Sequence, residues 1–128
     1  MILEAAALCL ALNIYHEARG EPEFGQTMVG IVTLNRAEWK PNNVCNVVYE
    51  PLQFSWTLAP EQYGVHEAPA WDQAQRIAVM LLDIPPMLYD KGLMAADHYH
   101  ADYIAPPEWA KDMERVGQIG RHIFYRSK

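Results

Sequence analysis

A mostly helical α+β fold with one small antiparallel sheet is predicted by three features of this sequence. Apolar residues recur at helical spacing through residues 3–39 and 70–82. Two short stretches near the end, Asp97 to Ile104 and Gln118 to Tyr125, alternate in period two like strands. Prolines and glycines fall between these segments, where they end one element and start the next. The chain has 128 residues, 51% hydrophobic and 20% charged, which fits one packed domain spanning residues 1–128.

The first helix is expected from about Leu3 to Arg19, because alanine and leucine, both strong helix formers, dominate it. Cys9, Leu12, Tyr15 and His16 suggest a broad buried stripe. Gly20 is a natural stop, since it tolerates positive φ, and Pro22 suits the first turn of the next helix. That second helix is expected from Pro22 to about Trp39, with Phe24, Met28, Ile31, Leu34 or Asn35, and Trp39 at helical spacing. Gly25 and Gly30 cost helix propensity and permit close approach of another helix. Val44 to Tyr49 reads equally as a short helix or a strand. Residues 51–69 read as a long loop holding Phe54, Trp56, Tyr63 and His66, with Gln53 and Ser55 among them. So long and aromatic a loop is usually functional. A third helix follows over Ala70 to Leu82, and Pro106 to Trp109 starts a short helix or turn between the two strands.

The composition also excludes some functions. The net charge of −6 argues against a nucleic-acid binder, which would present a basic surface. Met1 to Leu12 is apolar, but Glu4 interrupts it and no Lys or Arg precedes it, so neither a secretory signal nor a membrane span is expected. The two cysteines, Cys9 and Cys45, are read as reduced, buried thiols of a cytoplasmically made protein.

The densest chemistry lies in Asn13 to Pro22, which sets His16, Glu17, Arg19 and Glu21 at a helix–helix junction. Glu17 falls in the last turn of the first helix, where the helix dipole raises a carboxyl pKa slightly. An acid kept protonated is what glycosidic cleavage needs. From spacing alone, a structural pairing with Arg19 is nevertheless the favoured use, and Glu21 reads best as an N-terminal helix charge. On a strand, His98 and His100 share a face while Tyr99 points away. They are a weak half-site for zinc, which His16, Asp97, Glu17 or His122 could complete, and polar contacts to a ligand are the favoured use. No metal or other cofactor is therefore expected.

These residues resemble the SleB-like cell-wall hydrolase family, which includes spore-cortex-lytic enzymes and phage or prophage lysins. The matching pieces are Ile14 to Glu21, Gly25-Gln26, Leu34 to Arg36, Val44 to Tyr49, Gln53 to Trp56, His98 to Ala101, Pro107 to Trp109 and Ile119 to Tyr125. They occur in the family's order over nearly the whole chain. The resemblance implies a lysozyme-like or lytic-transglycosylase-like fold that cleaves peptidoglycan between N-acetylmuramic acid and N-acetylglucosamine. It also implies that the family's single catalytic glutamate is Glu17, which reverses the reading from spacing. Some members carry Gly where this chain has His16, and Thr where it has Asp97.

On that basis Glu17 is expected to protonate the glycosidic oxygen, and the substrate's own 6-hydroxyl to give a 1,6-anhydro product. Gln53, Ser55, Tyr99 and His100 are expected to hold polar sugar groups, with Glu21 and His98 beside them. Phe54, Trp56 and Trp109 are expected to offer flat faces to sugar rings. The alternatives are a hydrolysing muramidase using Glu21, Asp97 or Asp102, a zinc amidase built on His98 and His100, and a non-catalytic wall-binding protein. A monomer acting on the bacterial wall is expected, without membrane insertion. Its expected type is a phage lysin released through a membrane pore or carried by a particle.

Overall fold

Alanine and leucine carry the first helix, α1 (Ala5–Ala18), through the middle of the molecule. The computed structural model describes residues 4–50, 53–58, 64–85 and 89–128. Three further helices, α2 (Glu23–Arg36), α3 (Pro41–Val48) and α4 (Ala68–Asp83), all pack on α1. The buried positions of α1 are Ala7, Cys9, Leu10, Ala11, Asn13, Ile14, Tyr15 and Ala18. They lie on several sides of the helix rather than along the single stripe expected, as befits a helix surrounded by others.

The ambiguous Val44 segment is helical. Pro41 opens it at the first turn, where its missing N–H costs nothing. Its position also corrects the reading of the cysteines. Cys9 of α1 and Cys45 of α3 form a disulfide across 36 residues of sequence. Composition could not reveal this, because two cysteines carry no framework pattern.

Gly20 does not adopt the left-handed conformation expected of a helix stop, for the positive-φ glycines among the described residues are Gly92, Gly117 and Gly120. The junction is closed by other bonds instead. The Arg19 N–H donates to the Tyr15 carbonyl, the Glu21 N–H donates to that of Ala18, and the Gln26 amide donates to that of Glu21. Helix α2 ends earlier than expected, in a Schellman motif made without glycine. Trp39 N–H donates to Leu34 carbonyl at 2.8 Å and Glu38 N–H to Asn35 carbonyl at 3.1 Å. Glu38 and Trp39 therefore sit at φ 56° and 57°, where side chains are strained. The indole of Trp39 is buried and donates to Asn35 Oδ1 at 2.8 Å, which holds the turn in place.

Gly30 is the close approach that the sequence suggested. A Cβ there would lie 2.6 Å from Leu81 Cδ1 on α4 and 3.1 Å from Ile14 Cδ1 on α1. Gly30→Ala gains up to about 1 kcal/mol of helix propensity but overpacks the core, which typically costs about 1–3 kcal/mol. Net destabilisation is expected in chemical denaturation, and a stabilised variant would show that the core yields there.

Strands β1 (His98–Ala101), β2 (Glu114–Ile119) and β3 (His122–Arg126) form an antiparallel sheet in the order β1-β3-β2. The predicted strand Gln118 to Tyr125 is in fact a hairpin, turning at Gly120 with φ 56°. Its second half pairs with β1 in the register His98 to Tyr125 and Tyr99 to Phe124. A short 3-10 helix, Glu108–Asp112, fills the connection after β1. Tyr63, one of the expected loop aromatics, lies outside the described residues.

Candidate active site

The end of α1 meets the face of β1, and two side chains at the end of α2 hold them together. Asn35 donates to the carbonyls of Met94 and Ala96, at 2.9 and 2.7 Å. Arg36 Nε donates to the Asp97 carbonyl at 2.7 Å. The chain entering β1 is thereby fixed to the helical layer, and Tyr99 donates its hydroxyl hydrogen to Glu17 Oε1. A helix end and a strand 82 residues apart in sequence thus share one hydrogen bond.

Burial raises the Glu17 pKa, against the opposing effects of the Tyr99 hydrogen bond and the Arg36 charge. The Tyr99 hydroxyl is pushed well above the usual phenol range, by burial first and then by the adjacent carboxylate. Tyr99 therefore stays neutral and remains a donor. Its partner is a carboxyl that burial biases toward the protonated form and whose ionised form still has a hydrogen bond waiting. Tyr99→Phe removes an influence that lowers the Glu17 pKa. The carboxyl is expected to titrate at higher pH in that variant, as read by carbon NMR of the Glu17 side chain. A downward move would show that Tyr99 does not act on Glu17 in this way.

Two cavities flank Glu17. The larger, about 610 Å³, is lined by residues that include Arg36, Gln53, Ser55, His98, Tyr99, His100, Tyr103 and Trp109. The smaller, about 240 Å³, lies over the Gly20 turn and is lined by Arg19, Glu21 and Arg121 among others. His16, Glu17, Tyr103 and His122 line both.

The loop beside Arg36 divides its side chains between two environments. Gln53 and Ser55 face the cleft, and Gln53 Oε1 accepts from Arg36 Nη1 at 3.0 Å. Phe54 and Trp56, expected to face sugars, are instead buried to 3% exposure in the core. The reason is polar as well as apolar. The Trp56 indole N–H donates to Asn13 Oδ1 at 2.9 Å, and Asn13 in turn donates to Thr33 Oγ1 at 3.2 Å. Trp56 supports the cleft from beneath, with the His16 ring 4.6 Å above it. Burial, together with the charge of Arg19 and then of His66, lowers the His16 pKa.

His98 and His100 do share a strand face, and both rings lie against Trp109, at 5.0 and 5.9 Å. His100 is committed elsewhere: one ring nitrogen bonds the Ala101 carbonyl at 2.8 Å and the other the Tyr125 hydroxyl at 2.9 Å. His98 Nδ1 pairs with Asp97 Oδ1 at 3.0 Å.

The other candidate carboxylates are also engaged away from the larger cavity. Glu21 Oε1 accepts from the Arg121 backbone N–H at 2.8 Å and faces His122 Nδ1 at 3.8 Å. Burial lowers the His122 pKa even though Glu21 and Asp102 oppose it. Burial alone would raise the Asp97 pKa, but hydrogen bonds from His98 and Ser127 outweigh it and hold it low. Asp102 accepts from Arg121 Nε at 2.7 Å and from the Gln118 amide at 3.1 Å.

Sequence reasoning assigned no role to Arg36 or Tyr103, and His122 entered it only as a residue that could complete a zinc half-site. Arg36 had a signal, as a lone cation closing the apolar run of α2. Tyr103 had none, since only the turn after β1 brings it to the cavities beside Glu17, and the folded hairpin places His122 there as well.

A cell wall hydrolase family model matches residues 20–125, beginning just after Glu17. The spore cortex-lytic enzyme of Halalkalibacterium halodurans is 36% identical over 117 residues, covering 90% of this chain and 33% of that protein. The Bacillus subtilis spore cortex-lytic enzyme is 31% identical, again over 90% of this chain and over 35% of that protein. The chain thus spans about a third of the length of these curated relatives. In structure, it is similar to the catalytic domain of the germination-specific lytic transglycosylase SleB from Bacillus anthracis. That match has a TM-score of 0.73 at 26% identity and covers 98% of this chain and 97% of the other. The fold is that of the SleB catalytic domain, mostly helical with one small sheet, and the chain belongs to the cell wall hydrolase family.

Proposed function

We propose that this domain cleaves the glycan strand of peptidoglycan between N-acetylmuramic acid and N-acetylglucosamine as a lytic transglycosylase, with Glu17 as its acid and then its base. One observation carries the choice. Glu17 is the single carboxylate among the described residues that line the larger cavity. A glycosidase of the two-carboxylate kind needs a second acid facing the same bond. Glu21, Asp97 and Asp102 are each held by other partners.

With one acid, the nucleophile comes from the substrate. The Glu17 carboxyl gives its proton to the glycosidic oxygen as the C1–O bond breaks, and the leaving sugar departs as an alcohol. The resulting Glu17 carboxylate, still bonded by Tyr99, takes the proton of the 6-hydroxyl on the muramic ring. That oxygen bonds to C1, and the 1,6-anhydro ring closes without water. The raised Glu17 pKa keeps the acid protonated for the first step, and the Tyr99 hydroxyl stabilises the carboxylate that this step leaves.

The names of the relatives and of the structural neighbour support this reading, since they are cortex-lytic enzymes and a lytic transglycosylase. Mass spectrometry of digested walls tests it: anhydromuramic ends are expected. Reducing muramic ends alone would favour a hydrolase with Glu21 as base, because Glu21 lines the smaller cavity.

A further inference from the structure

We propose that Tyr103 is the sugar-stacking platform of this cleft, replacing the buried Phe54 and Trp56, and that Arg121 and Asp102 are the positioning residues that hold its ring. The inference rests on the glycan-cleaving reading above and deepens it.

Tyr103 is 72% exposed, the most open large apolar side chain among the described residues. An aromatic ring left this open costs the fold burial it could otherwise have, and its setting here is a cleft rather than a bare surface. It lines both cavities that meet at Glu17, so a ring against it lies beside the proposed scissile bond. The neighbouring Ile104 is 46% exposed and lines the larger cavity, extending the apolar shelf.

The ring is held on one face by a cation that is itself anchored. The Arg121 guanidinium lies 5.2 Å from the Tyr103 ring centroid. Arg121 is itself fixed by Asp102 Oδ1 at 2.7 Å, and its backbone N–H donates to Glu21 at 2.8 Å. The Asp102 N–H donates to the Arg121 carbonyl at 2.8 Å, so the turn after β1 and the hairpin turn are joined by main chain as well. With the guanidinium over one face, the open face is left for the apolar C–H face of a pyranose. A ring fixed before binding loses little freedom when a ligand arrives. Glu21, first considered as a second acid, thereby acquires a structural use as an anchor of the hairpin turn.

The test is binding of purified, peptide-free glycan strands to the Glu17→Gln protein by calorimetry, with and without a second substitution. Tyr103→Ala is expected to weaken binding about tenfold to a hundredfold, and Tyr103→Trp to restore it. Arg121→Ala is expected to weaken it less, because the ring remains but loses its brace. Because Tyr103 is exposed, these variants should fold, and circular dichroism verifies it. Equal affinity with and without the Tyr103 ring overturns the platform and leaves the glycan reading standing. Absence of any glycan binding by the Glu17→Gln protein, together with intact glycan after digestion by the unaltered protein, overturns both.

Discussion

Glu17→Gln is expected to lower the rate of glycan cleavage about a thousandfold to ten-thousandfold, the upper range for losing a general acid–base group. The amide matches the carboxyl in shape and can still accept from Tyr99, yet it cannot donate a proton to a leaving oxygen or take one from the 6-hydroxyl. Both halves of the reaction fail together. Stability separates this from a folding defect. The Glu17 pKa is raised in the folded protein, so ionising it costs the folded state free energy. That cost is absent below the pKa of the unfolded chain and reaches its full size above the folded value. At neutral pH the amide variant escapes it, and its melting temperature is expected to equal or exceed that of the parent. Wild-type rates of wall lysis by the variant would remove Glu17 from the mechanism. A lower melting temperature would mean that the carboxylate is stabilising, contrary to the direction its burial gives.

The pH dependence follows from the same shift. The donor form of Glu17 is lost as pH rises through its raised pKa, so activity should fall on the alkaline side. In Tyr99→Phe that limb should move to higher pH, while the maximal rate drops because the ionised base has lost its hydrogen bond. A limb that stayed in place would assign the alkaline fall to another group, such as His16 or His122, which line both cavities with Glu17.

What the sequence revealed and what it hid divide along physical lines. The helices were legible because apolar periodicity and proline position are local properties. Glu17 was legible as a candidate because a carboxylate ending an apolar helix is unusual, although spacing alone favoured a structural pairing. Its partner was hidden in part: the strand pattern set Tyr99 apart from His98 and His100, but nothing local says which face meets α1. Phe54 and Trp56 were misread because an aromatic in a loop can serve core or ligand equally. The Asn13 side chain that draws the Trp56 indole inward lies 43 residues away. The hairpin at Gly120 was missed because alternation continues across the turn, and a tight turn adds only two residues to the count. The bonds from Asn35 and Arg36 to the chain entering β1, which assemble the site, depend on contacts some 60 residues apart.

The disulfide was the largest misjudgement, and its removal has the second large effect. A bridge closing 36 residues restricts the unfolded chain by about 3–4 kcal/mol in the chain-entropy model. For a domain of this size that corresponds to a fall of about 10–15 °C in melting temperature. Cys9→Ser with Cys45→Ser is expected to show this loss, and reduction of the parent protein should show a similar one. The consequence reaches the site as well, because Cys9 lies eight residues before Glu17 on α1, about 12 Å along the helix. Helix α1 is also held by α2 and α4, so the variant should keep its activity well below its new melting point and lose it on heating sooner than the parent. Two titratable thiols in the native protein purified without reductant, or a melting temperature indifferent to reductant, would contradict the bridge.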